Sequence, residues 1–176
     1  MHKFIIAAVA DNGVIGNGGD LIWNLPADQA FFLNRIKNAL LISGRTSYES
    51  GHGSVVFQNP KRLIILTAKK NYQTDGAYLA NSIQEAKELS KELDFEELAV
   101  LGGEKVYAQL LDWVDTLYIT EIHENFVGDT FFPKIDPVDW KETQREDMEA
   151  DAQNPHAYSF VTYKRTSRTN VNNAEA

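Results

Sequence analysis

The sequence predicts an α/β fold of three layers: a single, mostly parallel eight-stranded sheet with an antiparallel C-terminal strand and helices on both faces. Continuous apolar runs alternate with segments of helical periodicity, which is typical of a parallel sheet covered on both sides. The last two strands follow each other with no helix between them. At 176 residues the chain is most simply one domain, 1–165, followed by a polar tail, 166–176, that we expect to be disordered.

Each predicted strand is a short apolar run that ends at turn or hydroxyl residues. The first run meets Asp11-Asn12-Gly13, and the second closes at Ser43-Gly44. The final two segments alternate polar and apolar residues, as expected for an antiparallel pair. In chain order, we expect strands at 4–10, 39–42, 62–67, 77–80, 98–101, 116–122, 140–148 and 156–164.

The helical segments carry their own start signals. Pro26 suits a first turn, because its missing N–H would have no partner there. Ser82 predicts an N-cap, with Glu85 in the capping-box position. We expect helices at 26–38, 45–50, 83–93 and 104–111, and irregular loops at 51–60 and 69–75.

The link between the first strand and the first helix is unusually long. Such links usually have roughly 2–6 residues, whereas this one is much longer and contains four glycines and Trp23. A long link with glycine hinges is typical of a functional loop. We therefore expect this link to be a functional loop.

Asp28 lies in the first turn of the helix after this link. Phe32 and Ile36 follow at i+4 and i+8, so all three share one face. A first-turn aspartate often only complements the helix dipole. Because an unpaired buried carboxylate is costly, this apolar face favours a second interpretation, a ligand that is cationic or offers several donors.

Composition and charge exclude several classes of protein. The net charge of −8 argues against a nucleic-acid partner, which would need a basic surface. The chain has no cysteine, which excludes disulfides and thiol catalysis and fits a reducing compartment. The four histidines are scattered without metal-ligand spacing, and no apolar run is long enough for a membrane span. We expect no metal, no nucleic acid and no membrane partner.

Three predicted strand ends carry glycines, hydroxyls or basic residues. They are Gly44-Arg45-Thr46-Ser47, Thr67-Ala68-Lys69 and Gly102-Gly103-Glu104-Lys105. Ligands of open α/β sheets bind outside the carboxyl ends of strands, and helix starts there favour phosphate. Two such regions indicate a dinucleotide. Because no acidic residue closes the third strand, and Arg45, Thr67 and Lys69 suit a 2′-phosphate, the sequence favours NADPH over NADH.

Several segments together resemble a known family. They are IAA at 6–8, GVIG at 13–16, WNLPAD at 23–28, GRTSYES at 44–50, LGG at 101–103, VY at 106–107, GDTFFP at 128–133 and Trp140. In this order, across nearly the whole chain, they resemble dihydrofolate reductase. The resemblance implies a cytoplasmic, monomeric enzyme that reduces 7,8-dihydrofolate to tetrahydrofolate with NADPH and binds antifolate inhibitors.

The resemblance also implies a role for each matching residue. Asp28 would anchor the pterin, and Trp23 would position an ordered water near it. The loop 12–24 would act as a lid over the site, and its residue Leu21 would complete the catalytic set. Hydride would pass to pterin C6, and water would protonate N5. Substrate binding would involve Ile6, Ala7, Asp28, Gln29, Phe32, Ser50, Lys61, Arg62, Tyr107 and Thr120. Cofactor binding would involve Ala8, Ile15, Gly16, Gly19, Asp20, Leu21, Gly44, Arg45, Thr46, Ser47, Leu66, Thr67, Ala68, Lys69, Leu101, Gly102, Gly103, Glu104, Lys105, Val106, Tyr107, Gln109 and Thr130.

The sequence departs from the family pattern in a few places. Ile22 stands where the family usually has proline before the tryptophan, and the loop 51–60 is longer than usual. The arginine that would bind the substrate's α-carboxylate falls in register with Lys61, with Arg62 beside it. Pro155 lies between the last two strands and offers no side-chain hydroxyl or N–H, so we expect no lid conformation docked there by such a contact.

Two alternative functions remain open from sequence. One is the NADPH-dependent reductase of riboflavin synthesis, which has a related fold but lacks the WNLPAD segment. The other is a catalytically silent nucleotide-binding protein, which the presence of both Asp28 and Trp23 disfavours.

Overall fold

An eight-stranded sheet forms the centre of the protein in a computed structural model that describes residues 1–51 and 54–166. The strand order is β5-β4-β3-β6-β1-β7-β10-β9. The two pairings of β10, with β7 and with β9, are antiparallel, and all other pairings in this sheet are parallel. This confirms the predicted fold class. The strands of this sheet are β1 (His2–Ala10), β3 (Leu40–Gly44), β4 (Leu63–Leu66), β5 (Tyr78–Ala80), β6 (Glu97–Val100), β7 (Thr116–Ile122), β9 (Trp140–Met148) and β10 (Tyr158–Arg165).

Apolar side chains on both faces of the sheet explain why helices cover it. Ile5 of the central strand packs into a core cluster with Leu40 and Val100, while its neighbours Phe4 and Ile6 pack into a second cluster with Leu41. Successive strand residues point to opposite faces, so these continuous runs bury both sides. The helices are α1 (Pro26–Ile36), α2 (Arg45–Ser50), α3 (Ile83–Glu92) and α4 (Glu104–Leu110).

Local sequence signals place the helix starts as predicted. Pro26 is the first residue of α1. The Ser82 hydroxyl accepts a hydrogen bond from the Glu85 backbone N–H at 3.1 Å and caps α3. The Glu85 carboxylate accepts in turn from the Asn81 N–H at 2.6 Å, one residue before the cap.

Several details differ from the prediction. A short 3-10 turn, Pro60–Arg62, delays the start of β4 to Leu63, and a second turn, Val55–Phe57, lies within the predicted loop 51–60. A two-stranded sheet of β2 (Val14–Gly16) and β8 (Thr130–Phe131) was not predicted, because strands this short have no detectable periodicity. The predicted tail lies, from residue 167 onward, outside the described residues.

Candidate functional site

A cleft of about 1010 Å³ opens beyond the carboxyl ends of β1, β3, β4 and β6. This is the edge at which open parallel sheets bind ligands. Ligand pockets commonly have volumes of roughly 300–1,000 Å³, so the cleft has room for a large ligand or for two adjacent ones.

Most of the residues predicted to bind ligands line this one cleft. They are Ile6, Ala7, Ala8, Ile15, Gly16, Gly19, Asp20, Leu21, Asp28, Gln29, Phe32, Gly44, Arg45, Thr46, Ser47, Ser50, Leu66, Thr67, Ala68, Lys69, Leu101, Gly103, Glu104, Lys105, Val106, Tyr107, Gln109 and Thr130.

Five predicted residues do not line the cleft. Trp23 and Thr120 are buried beside it, and Gly102 underlies its wall at a backbone φ of +98°. Lys61 is exposed, and the Arg62 guanidinium contacts the C-terminal end of α1.

The carboxylate of Asp28 is the principal charged group at the apolar end of the cleft. Burial raises its pKa, and a hydrogen bond from the Thr120 hydroxyl to Oδ1, at 2.6 Å, lowers the pKa in opposition. The bond uses one lone pair of Oδ1 and leaves acceptor capacity on both carboxylate oxygens. Asp28 can therefore accept two parallel donors from a ligand in the cleft.

Tyr107 forms the wall near Asp28. Its hydroxyl lies 2.9 Å from the Leu101 carbonyl and 3.1 Å from the Ile6 carbonyl, and can donate to either. Burial raises the pKa of this phenol, and the nearby Asp28 charge raises it further. A Cβ on Gly102 would lie 2.7 Å from the tyrosine ring, so the close approach requires glycine.

Trp23 contributes a buried polar atom to the same region. Its side chain is 5% exposed, and its ring centroid lies 5.1 Å from that of Phe126. The indole Nε1 is the only buried side-chain nitrogen or oxygen without a hydrogen-bond partner among the described residues. Buried donors are almost always satisfied, so this N–H is available to a water molecule or a ligand.

The predicted lid is held on one side by the loop before β8. The Gly18 N–H donates to Asp129 Oδ2 at 3.0 Å, and the Asp129 N–H donates to the Gly16 carbonyl at 3.1 Å. A Cβ on Gly128 would lie 2.3 Å from Val14 Cγ1, so only glycine permits this packing. No described contact joins the lid to Pro155.

Basic and hydroxyl side chains collect at the opposite end of the cleft. Arg45 forms an ion pair with Glu49 at 2.5 Å and keeps its other guanidinium donors. The Thr67 hydroxyl accepts from the Lys69 N–H at 3.2 Å, which places a lysine beside the end of β4. Lys105 lies at the start of α4, next to the glycine pair. Donors of this type fit the phosphate groups of a dinucleotide.

Arg62 has a definite structural role that the sequence did not reveal. Its Nη1 donates to the Ile36 carbonyl at 3.0 Å and also contacts the Lys37 carbonyl. These are carbonyls at the C-terminal end of α1, where cations are stabilised. Burial lowers the pKa of Arg62. Lys61, by contrast, has only its backbone N–H fixed, by Asn59 at 3.2 Å.

Sequence reasoning missed seven lining residues. Leu33 follows Phe32 on α1 and could have been found by helical spacing. The others lie in the irregular loop after α2 or around the start of α3, where no periodicity points to the cleft. They are Ser54, Val55, Val56, Asn81, Ser82 and Ile83.

Comparison with known proteins identifies close relatives. A family model described as "Dihydrofolate reductase" matches residues 3–165. The dihydrofolate reductase of Staphylococcus haemolyticus is 35% identical over 161 residues, covering 92% of this chain and 94% of the relative. That of Bacillus subtilis (strain 168) is 33% identical over 166 residues, covering 94% and 95%. The structure of dihydrofolate reductase from Enterococcus faecalis, complexed with NADP(H) and RAB-propyl, aligns with a TM-score of 0.78 at 32% identity and covers 94% and 96%.

Proposed function

The chain belongs to the dihydrofolate reductase family, and we propose that it reduces 7,8-dihydrofolate to 5,6,7,8-tetrahydrofolate with Asp28 as the pterin anchor. Membership of this family makes it an NADPH-dependent oxidoreductase, as its motifs predicted. The observation that carries the anchoring role is the buried carboxylate, held by Thr120 at the apolar end of the cleft.

Asp28 binds the pterin and does not itself donate the proton to N5. The pterin presents a ring N–H and an exocyclic amine side by side, and an ionised carboxylate accepts both. This pairing fixes the ring's orientation in the pocket formed with Ile6, Ala7 and Phe32. The negative charge also favours the protonated pterin.

NADPH, when bound, supplies the hydride that is added to pterin C6. Arg45, Thr67 and Lys69 would hold its 2′-phosphate, while Ser47 and Lys105 would hold the phosphates nearer the middle of the cleft. Ala8, Ile15 and Tyr107 would border the nicotinamide half. Because these residues would bind the 2′-phosphate, we expect the enzyme to prefer NADPH over NADH.

Proton delivery to N5 falls to water in this proposal. No described histidine, and no glutamate, lies on the pterin side of the cleft. The free indole N–H of Trp23 would orient a water near Asp28. The lid, with Leu21 facing the cleft, excludes other water while the hydride moves.

The substrate's glutamyl carboxylate would be bound by Arg62 rather than Lys61. The guanidinium is fixed by the end of α1 through Nη1, and its planar shape leaves other donors for a carboxylate. The lysine ammonium is exposed, and none of the described contacts fixes it. Every group in this proposal comes from one chain, so we expect a monomer to be active. We also expect antifolate inhibitors to bind against Asp28.

The test is the oxidation of NADPH, followed by absorbance, with dihydrofolate added. Wild-type protein should show turnover with NADPH and much less with NADH. Asp28→Asn should lose activity by roughly two or more orders of magnitude near neutral pH and recover part of it in acid, where the substrate is already protonated. Asp75→Asn, at an exposed loop position, is the matched control. Absence of turnover by the wild-type protein would support the catalytically silent alternative.

A further inference from the structure

The N-terminus of α1 is held by a side chain that is distant in the sequence. Its own cap residue, Leu25, makes no side-chain cap contact, and Pro26 has no N–H. The first backbone donor of the helix is therefore that of Ala27, and it donates to Asn154 Oδ1 at 3.0 Å. Asp28 is the next residue.

Asn154 is itself fixed in the turn between β9 and β10. Its side chain is only 5% exposed, which is unusual for asparagine. Its Nδ2 donates to Asp151 Oδ1 at 3.1 Å, and its backbone N–H donates to the same oxygen at 2.7 Å. The Asp151 N–H donates back to the Asn154 carbonyl at 2.8 Å. All the polar groups of this amide thus have partners.

We infer that Asn154 is a positioning residue for dihydrofolate: by capping α1 from the β9–β10 turn, it sets where the Asp28 carboxylate meets the pterin. This inference rests on the proposed function of Asp28.

Two further contacts join α1 to the same part of the sheet. Phe31 stacks on Phe160 of β10 with ring centroids 4.5 Å apart, and Thr120 of the adjacent β7 binds the Asp28 carboxylate. Thr120 fixes the side chain, whereas Asn154 fixes the backbone that carries it. Because β10 pairs with β7, the strand that begins shortly after Asn154 and the strand that carries Thr120 form one hydrogen-bonded pair. A shift of the helix end relative to this pair would misalign the carboxylate with a ligand held against β1.

The contact also predicts selectivity between the two ligands. Asn154 touches the helix at the pterin end of the cleft and has no described contact with the strand ends that would hold NADPH. Loss of the cap should therefore weaken dihydrofolate binding and spare the cofactor. A general loss of stability would affect both.

The test compares KM for dihydrofolate and for NADPH in wild type, Asn154→Ala and the control Gln153→Ala, an exposed neighbour in the same turn. We expect Asn154→Ala to raise KM for dihydrofolate roughly 3- to 10-fold, because the carboxylate is misaligned but still present, with KM for NADPH changed less than about twofold. Gln153→Ala should match wild type.

A swapped pair provides a rescue. In the double variant Asp151→Asn, Asn154→Asp, the new carboxylate can accept from Ala27 and from the new amide, with no change in net charge. KM for dihydrofolate should return toward the wild-type value. Thermal unfolding is measured for every variant. If Asn154→Ala does not fold, Asp151→Ala replaces it in the comparison: this variant leaves Asn154 in place and removes the carboxylate that accepts from Asn154 and from the Gln153 N–H. It should show the same selectivity at reduced size.

An unchanged KM for dihydrofolate in Asn154→Ala, or an equal rise for both ligands, would overturn the positioning role. Either result with an active wild-type enzyme leaves the proposed function intact. A wild-type enzyme without NADPH-dependent turnover would instead refute the proposed function itself.

Discussion

The Thr120 hydroxyl donates a 2.6 Å hydrogen bond to the Asp28 carboxylate. This contact joins strand β7 to the first turn of α1, and it counteracts the effect of burial on the pKa of the carboxyl group. The balance between these two influences determines how readily Asp28 is ionised at neutral pH.

Thr120→Val should move the pH dependence of dihydrofolate binding. The bond lowers the pKa of Asp28, so its loss raises that pKa further. As pH falls, the variant should therefore lose the ionised carboxylate, and with it the binding of the pterin, at a higher pH than wild type. Because fewer molecules are then ionised at a given acidic pH, kcat/KM should fall by roughly 10-fold on the acid side of the profile. Profiles of kcat/KM against pH measure this effect, with Thr143→Val on the exposed strand β9 as control. If the profiles of Thr120→Val and wild type superimpose, Thr120 does not affect the titration of Asp28.

Asp28→Asn should stabilise the fold at neutral pH while it removes activity. Burial raises the folded-state pKa of Asp28 above its unfolded value. The native state therefore bears a cost for the ionised carboxylate that is absent below the unfolded pKa and grows as pH rises through the folded pKa. We expect a gain in unfolding free energy on the order of 1 kcal/mol at neutral pH.

Urea denaturation measures that gain, once at neutral pH and once at a pH below the ordinary pKa of aspartate. The difference between Asp28→Asn and wild type should shrink in acid. A difference that stays constant with pH would show that the effect comes from packing and not from charge.

Arg62→Ala should raise KM for dihydrofolate about 10-fold, whereas Lys61→Ala should change it less than about twofold. The reason is that Arg62 is fixed against the end of α1 and Lys61 is not. Because Arg62→Ala also removes support from the helix, KM is measured in parallel for a dihydropterin without the glutamyl group. An equal rise for both substrates would assign Arg62 to the helix alone, and a larger effect of Lys61→Ala would reverse the assignment.

Asp129→Ala should loosen the lid. It removes the acceptor for the Gly18 N–H, which joins the lid to the loop before β8. We expect NADPH to dissociate about 2- to 5-fold faster, the effect of losing one exposed hydrogen bond. Stopped-flow displacement of bound NADPH measures the rate, and Asp129→Asn, which keeps an acceptor oxygen, should stay near wild type. Equal rates in all three proteins would show that this contact does not control the lid.

The sequence predicted most of the sheet and most of the cleft, because both follow from local patterns. Continuous apolar runs identify strands buried on two faces, and glycines with hydroxyl and basic residues mark the strand ends. The position of Asp28 on an apolar helix face was also readable. The matched motifs then supplied the family, which the comparisons confirm.

Contacts between distant segments could not be predicted in this way. Nothing near Arg62 in the sequence indicates that it binds carbonyls of α1, and nothing near Asn154 indicates that it caps Ala27. The β2–β8 pair is equally invisible, since it joins two very short segments across the fold. Such contacts depend on where the sheet brings the chain, and periodicity reports only on neighbours along the chain.

The bond between Ala27 and Asn154 spans 127 positions of the sequence. A ribosome releases the N-terminal part of a protein first, so α1 emerges long before the residue that caps it. This helix end is fixed only after residue 154 has been synthesised. A newly made molecule therefore completes the Asp28 end of the cleft only after the β9–β10 hairpin has been made, and a chain truncated before that hairpin lacks the support of Asn154 permanently.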